Sequence, residues 1–236
     1  MTINATKTVR ELAVEMPAAT RLFEKLGIDY CCGGARPLSE ACATAGIAVD
    51  EVVTSLEQIG EPSTGETKDW QAASLSELIA HIYDTHHIFT REEMERIEPL
   101  LAKVCRVYGE VQPELPRIQA LFLDLKRELL THMMKEEHVL FPYVEQLEIA
   151  IATASAKPVA FFGTVENPVR MMMLEHDAAG DVLRQIRELS GNFTPPADAC
   201  VSYQTLYRAL EGLEKDLHQH IHLENNILFP RAIGME

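Results

Sequence analysis

From residue 74 onward the apolar positions repeat with a helical period. Leu75, Leu78, Ile79, Ile82, Phe89, Ile97, Leu100, Leu101 and Val104 recur at roughly three- and four-residue steps, the spacing that puts side chains on one face of an α-helix. Ser74-Leu-Ser-Glu77 opens the series in the order of a capping box, in which each side chain satisfies a backbone N–H of the other residue. Gly109 to Pro116 interrupts the pattern. A second helix is predicted from about Pro116 to Phe141, followed by a looser stretch over 146–165. Asn167-Pro168 reads as the cap and first-turn proline of a third helix running to about Ser190. GNFTPP (191–196) reads as a loop, and a fourth helix runs to about Phe229. Four helices with short connections between paired neighbours predict an up-down bundle. No strand-type alternation rises above noise.

The front of the chain has shorter periods and more breaks. Thr8-Val-Arg-Glu11 is a second capping box, Pro17 opens a helix ending near Gly27, Pro37 or Leu38 begins another, and Asp50 stands near the start of a last one. The polar run GEPSTGETKD (60–69) reads as a linker. The expectation is an all-α chain: a small helical domain over 1–59, a linker over 60–72, and a four-helix bundle over 73–236.

Composition narrows the function classes. Lys and Arg number 21 against 36 Asp and Glu, a net charge of −15. Such a balance argues against a broad phosphate-binding surface, and so against nucleic acid or anionic lipid as partner. No window approaches the ~20 apolar residues of a membrane span, and MTINATKTVRELAVEM has no signal-peptide core. These features predict a cytoplasmic location. Five cysteines are too few, and odd in number, for a secreted disulfide framework. All nine histidines lie after residue 80, while Cys31 and Cys32 are adjacent in the front segment.

The histidines fall in a repeat. Residues 132–142, HMMKEEHVLFP, and 220–230, HIHLENNILFP, are both H-x3-E-x4-F-P, 88 residues apart. His87 precedes His132 by 45 residues and His176 precedes His220 by 44. The bundle therefore reads as a duplicated two-helix unit, each with one His on its first helix and His-x3-Glu on its second. Residues i and i+4 share a helical face, so His132 with Glu136, and His220 with Glu224, aim inward together. With His87 and His176 they make four imidazoles and two carboxylates, enough for two carboxylate-bridged metals. Iron, manganese and zinc all suit such ligands. His138, His218 and His222 stand two residues from a ligand and are expected to point away, and His81 is read as a surface or satisfied core residue. At the first position the apolar stripe centres nearer His86, whereas the repeat spacing selects His87. Glu128 and Asp216, each one turn before a repeat histidine, are either supports for those imidazoles, relays for protons, or ordinary surface acids.

Cys31-Cys32-Gly33-Gly34 precedes a helix and lies near Arg36, two influences that lower a thiol's pKa. The pair is a candidate for thiol chemistry, transient metal binding or a homodimer contact, or else is one buried cysteine and one incidental, and an adjacent disulfide would be strained. Cys42, Cys105 and Cys200 read as small core residues.

These residues carry a resemblance. Leu26-Gly27-Ile28-Asp29-Tyr30-Cys31-Cys32-Gly33-Gly34 resembles the N-terminal domain of ScdA-type proteins. His86-His87, His132-x3-Glu136-Glu137, Glu175-His176-Asp177 and His220-x3-Glu224-Asn225-Asn226 resemble a hemerythrin-like domain. In this order, over nearly the whole chain, they resemble the Repair of Iron Centres family. The resemblance implies a protein with two non-haem irons that repairs iron–sulfur clusters damaged by nitric oxide or oxidants. Its partners would be damaged iron–sulfur proteins, with nitric oxide or dioxygen as small ligands. By motif its ligands would be His87, His132, Glu136, His176, His220 and Glu224, with Glu128 and Glu175 on the route to the metals. Where many members carry a further His before a Gly-acid pair, this chain has Tyr108-Gly109-Glu110. Iron donation and reduction of nitric oxide are both open to such a centre. A dioxygen- or redox-sensing binding protein is the alternative that a hemerythrin-like bundle permits, though a plain oxygen carrier has no need of the Cys-Cys-Gly-Gly segment.

Overall fold

A computed structural model describes residues 3–59 and 68–236. Residues 60–67, most of the expected linker, lie outside that description. The front segment holds α1 (Val9–Glu15), α2 (Ala19–Leu26), α3 (Leu38–Ala45) and α4 (Val49–Ile59). They close over Val9, Leu12, Phe23, Tyr30, Leu38, Val52 and Leu56, all buried. The Thr8–Glu11 capping box starts α1. Gly27 and Gly46 end α2 and α3 with positive φ, the conformation glycine adopts without a Cβ penalty.

The back segment consists of α5 (Leu75–His81), α6 (Ile88–Tyr108), α7 (Glu114–Lys135), α8 (Phe141–Ala152), α9 (Glu166–Leu189), α10 (Val201–Leu223) and α11 (Phe229–Met235). Four rods result, because α5 runs into α6, α7 into α8, and α10 into α11 through short π segments. α6 packs on α7 and α10, and α7 packs on α9. The Ser74–Glu77 box opens α5, and the Glu148 carboxylate accepts Leu75 N–H at 2.6 Å and Ser76 N–H at 3.0 Å.

Three predicted boundaries move, and at the last of them the fourth helix, expected to end near Phe229, runs on through a π segment to Met235. α8 continues to Ala152, so the looser stretch begins at Thr153 rather than 146: Tyr143, Val144, Leu147 and Ala150 keep a buried face and hold the helix. α9 begins at Glu166, one residue before the expected cap, and the Asn167 amide instead donates to Phe162 O at 2.9 Å. Cys42 is buried and Cys105 half-buried, but Cys200 is exposed as the cap residue of α10, not a core residue.

The three π segments are Ile82–His87, Glu136–Leu140 and Glu224–Leu228. Each closes with an i→i−5 bond: Ile88 N–H to Tyr83 O, Phe141 N–H to Glu136 O, Phe229 N–H to Glu224 O. Two of them run straight into Phe-Pro. Pro142 and Pro230 have no N–H to give and their rings would crowd the carbonyl four residues back. The wider turn relieves that crowding, and π turns concentrate at functional positions. The apolar core is split at this level. One cluster, with Met94, Phe122, Leu183 and Leu213, lies on one side. The other, with Leu78, Val144, Val169 and Phe229, lies on the opposite side.

Candidate metal centre

Between the two apolar clusters the bundle buries six ligand-type side chains. His87, Glu136, His220 and Glu224 form one set, and His132, Glu136, His176 and Glu224 a second, with the ligand-type atoms of each set within 4.8 Å of one another. The carboxylates divide their oxygens between the sets. Glu136 turns Oε1 to His132 Nε2 at 3.2 Å and Oε2 to His87 Nε2 at 3.5 Å. Glu224 turns Oε1 to His220 Nε2 at 3.1 Å and Oε2 to His176 Nε2 at 3.2 Å.

The polar atoms are poorly served by the protein alone. Both Glu136 oxygens and Oε2 of Glu224 are buried without a hydrogen-bond partner among the described residues, a costly state for an ionised carboxylate. The imidazoles make the same point. His87 Nδ1 bonds Glu137 Oε1 at 2.7 Å, His132 Nδ1 bonds Glu175 Oε2 at 2.8 Å, and His176 Nδ1 bonds Asn225 Oδ1 at 2.9 Å. With Nδ1 donating, a neutral ring has only a lone pair at Nε2. Yet the Nε2 atoms of His132 and His176 face each other at 2.9 Å, and those of His87 and His220 at 3.1 Å. At His132–His176 both are lone pairs, which repel at that distance unless a proton or a cation sits between them, whereas His220, whose Nδ1 has no partner among the described residues, can carry its proton on Nε2.

Protons supply part of that need in the chain alone. Burial opposes charge on His87, but the Glu136 and Glu224 carboxylates outweigh it and lift the imidazole to about 10. Burial is likewise outweighed at His132, chiefly by Glu136, which lifts it to about 9. Against burial and their mutual repulsion, the histidines hold Glu136 and Glu224 below the usual carboxylate range. Burial dominates at His220 and pushes it down. Two buried carboxylates and four convergent imidazoles therefore form a donor set of a kind that a metal pair satisfies, displacing those protons.

The other sequence candidates separate clearly. His86 is buried beside His87, but its Nδ1 bonds Asp216 Oδ1 at 2.9 Å and its ring lies parallel to that of His220, 5.7 Å away. The π segment carries both histidines inward, which is why stripe and spacing disagree. His81 stacks on Trp70 at 4.3 Å. His138 is exposed, and His218 edges onto Tyr30. His222 points out of the metal layer but is buried, accepting from Asn226 Nδ2 at 2.7 Å. Burial lowers it to about 4.

Of the readings open for Asp216 and Glu128, support of His220 and His132 is not what the structure shows. Asp216 serves His86 rather than His220, and the Glu128 side chain is 74% exposed beside Arg127. Repeat spacing explains the outward turn: the position facing Asp216 is His86, whereas the matching position in the other unit is Glu175, whose charge would repel Glu128. Glu175 instead holds His132, with Lys135 paired to its other oxygen. The carboxylate of Glu137, with Arg91 at 2.6 Å, and the amide of Asn225 are supports that the sequence reading does not predict. Their signal lies in the repeat itself, as the residues following Glu136 and Glu224.

Cys31 reverses an expectation. α3 begins at Leu38, six residues past Cys32, so neither thiol lies in its first turn. Hydrogen bonding with Cys32 and burial push Cys31 well above the ordinary thiol range. Cys32 Sγ lies 3.4 Å from the His176 carbonyl oxygen, over Gly180. A Cβ at Gly180 would stand 3.1 Å from that sulfur. The front segment is further held by Gln219 Nε2, which donates to Tyr30 Oη and Glu24 Oε1 at 2.7 Å each, and by Asn226 Nδ2, which donates to Tyr30 O.

Among the described residues, no helix is long and apolar enough to cross a membrane. Residues 78–232 match the hemerythrin HHE cation-binding domain, and residues 5–60 match the ScdA_N domain of unknown function. The chain is similar to the iron–sulfur cluster repair protein YtfE of Cronobacter sakazakii, 40% identical over 227 residues, 96% of each chain. It is 37% identical, over the same shares, to the proteins of that name from Citrobacter koseri and Escherichia coli O81.

Proposed function

The chain belongs to the hemerythrin HHE cation-binding family and to the group of repair proteins that YtfE represents, and from that premise we propose that it repairs damaged iron–sulfur clusters with a pair of irons. His87 and His220 would hold one iron, His132 and His176 the other, and Glu136 and Glu224 would bridge them. The observation that carries this reading is the division of each carboxylate's two oxygens between the two histidine pairs. Bound there, a ferrous pair supplies two electrons for reducing nitric oxide and two ions for an iron-depleted cluster. The residues around it hold three of the four imidazoles, those of His87, His132 and His176, by their Nδ1 atoms, exclude bulk water through two apolar clusters, and keep both carboxylates ionised.

The front segment would govern access to the second unit of the repeat, where Cys32 stands one backbone carbonyl from His176. The partners are iron–sulfur proteins that have lost or nitrosylated their clusters. All five cysteines are free thiols, in keeping with work in a reducing cytoplasm. The test is anaerobic: load the chain with iron(II), measure its metal content, and follow recovery of a nitrosylated iron–sulfur enzyme. Two irons per chain with recovery above that of free iron(II) is the expected result. One zinc and no iron, or recovery no better than free iron(II), would overturn it.

A further inference from the structure

The two iron positions just proposed are alike in ligands and unlike in what stands behind them. In the His132–His176 pair both Nδ1 atoms have acceptors, the Glu175 carboxylate and the Asn225 amide oxygen. In the other pair only His87 has one, the Glu137 carboxylate. His220 Nδ1 is buried and has no partner among the described residues. Its natural acceptor is close by. Asp216 stands one turn earlier on the same face of α10, and its Oδ2 is also buried without a partner. The Asp216 carboxylate is turned instead to His86, whose Nδ1 meets Oδ1 at 2.9 Å. The repeat places His86 where the other unit has Glu175. In one unit that position supplies an acceptor to an imidazole; in the other it takes an acceptor away.

An acceptor behind a ligating histidine fixes its ring and raises its basicity, and losing one costs roughly 10–100-fold in metal affinity. We propose that the His87–His220 position is the weaker of the two, that it releases its iron first, and that His86 sets this weakness by drawing Asp216 away from His220. The surroundings agree. A surface cavity of about 280 Å³ borders this side of the layer, and Asp84, Glu137 and Glu145 line it. Its carboxylates favour passage of a cation, and Glu137 is the residue that backs His87.

The inference rests on the two-iron reading, and one experiment separates the two. The full chain is loaded anaerobically with iron(II), its iron content is measured, and an excess of a colorimetric ferrous chelator is added. A content other than two irons overturns the two-iron reading itself. With two irons present, the expected release has two phases of one iron each, with rate constants about tenfold or more apart. His86→Phe keeps a ring stacked on His220 and frees Asp216 to turn back, so it should slow the fast phase about tenfold and leave the slow phase unchanged. Asn225→Ala should speed the slow phase and leave the fast one alone. A single phase for both irons in the unmodified chain overturns the inference. So does a His86→Phe chain of native helicity that releases iron as fast as before or faster.

Discussion

The two units of the bundle keep the same ligands and the phenylalanine stacked on the first of them, Phe141 on His87 and Phe229 on His176, and differ on their outer faces. Where the first unit has Met134, Glu137 and His138, the second has His222, Asn225 and Asn226. Where the first has Arg91 paired with Glu137, the second has Gly180. In the first unit Met134 and His138 are exposed. In the second, His222 and Asn226 are buried beneath Tyr30, and Cys32 occupies the space over Gly180. The contrast marks out what the duplication was free to change. Residues aimed into the metal layer stayed, while one outer face was trimmed to receive the front segment and the other was left to solvent.

The largest effect should come from the two residues shared by both units. Glu136→Ala or Glu224→Ala should take iron content from two towards zero by elemental analysis, whereas His138→Ala and His222→Ala should retain most of it. Equal loss in all four would break the distinction between inward and outward faces. Next in size, His87→Ala should lose about one iron per chain while His86→Phe keeps both. Loss of iron from the His86 variant alone would move the ligand one residue back.

A third test uses His222, which has no counterpart in the exposed unit. The unfolded chain titrates it near 6.5, the native chain near 4, so between those values the unfolded state binds more protons. Stability of the metal-free chain should therefore rise with pH across that window, by up to about 3 kcal/mol from this residue. His222→Gln should flatten the slope in denaturant titrations at a series of pH values, and an unchanged slope would assign it elsewhere. The smallest effect concerns the seat of Cys32. Gly180→Ala brings a methyl to 3.1 Å from Sγ and should loosen the seat of Cys32, an overpacking cost of about 1–3 kcal/mol offset in part by the ~1 kcal/mol that Ala gains over Gly inside α9. Faster proteolysis of the front segment would follow. Arg91→Gly, at the matching place in the other unit, should leave that rate unchanged.

The capping boxes at Thr8 and Ser74, the glycine stop at 27, and the repeat that locates six inward side chains are all legible in the amino-acid sequence. Such features are local or periodic, and sequence displays both. What it hides depends on partners from other helices. Asp216 faces His86 rather than His220, Glu128 turns away from Glu175, and Cys31 is buried rather than activated. The disagreement between the apolar stripe at His86 and the spacing at His87 is itself the trace of a π turn. A phase slip between two stretches of one helical pattern is what an extra residue in a turn produces.

That extra residue has a consequence for how the molecule can vary. An α-helix advances about 100° per residue, so each rod that passes through a π segment leaves it out of step with its own beginning. The two apolar clusters are thereby set on separate indexings of the same rods. Among the described residues only α9 crosses the layer without such a slip, and it serves as the rail against which the other three are timed. Substitution can exchange one ligand for another along these rods. Deleting a single residue from 137–140 or 225–228 is a different event. It would restore ordinary pitch, close the wide turn at Glu136–Leu140 or Glu224–Leu228, and take from the side chains of that segment the direction the turn gives them. The layer is thus fixed by count as much as by chemistry, and it could migrate along the bundle only if three rods changed length together.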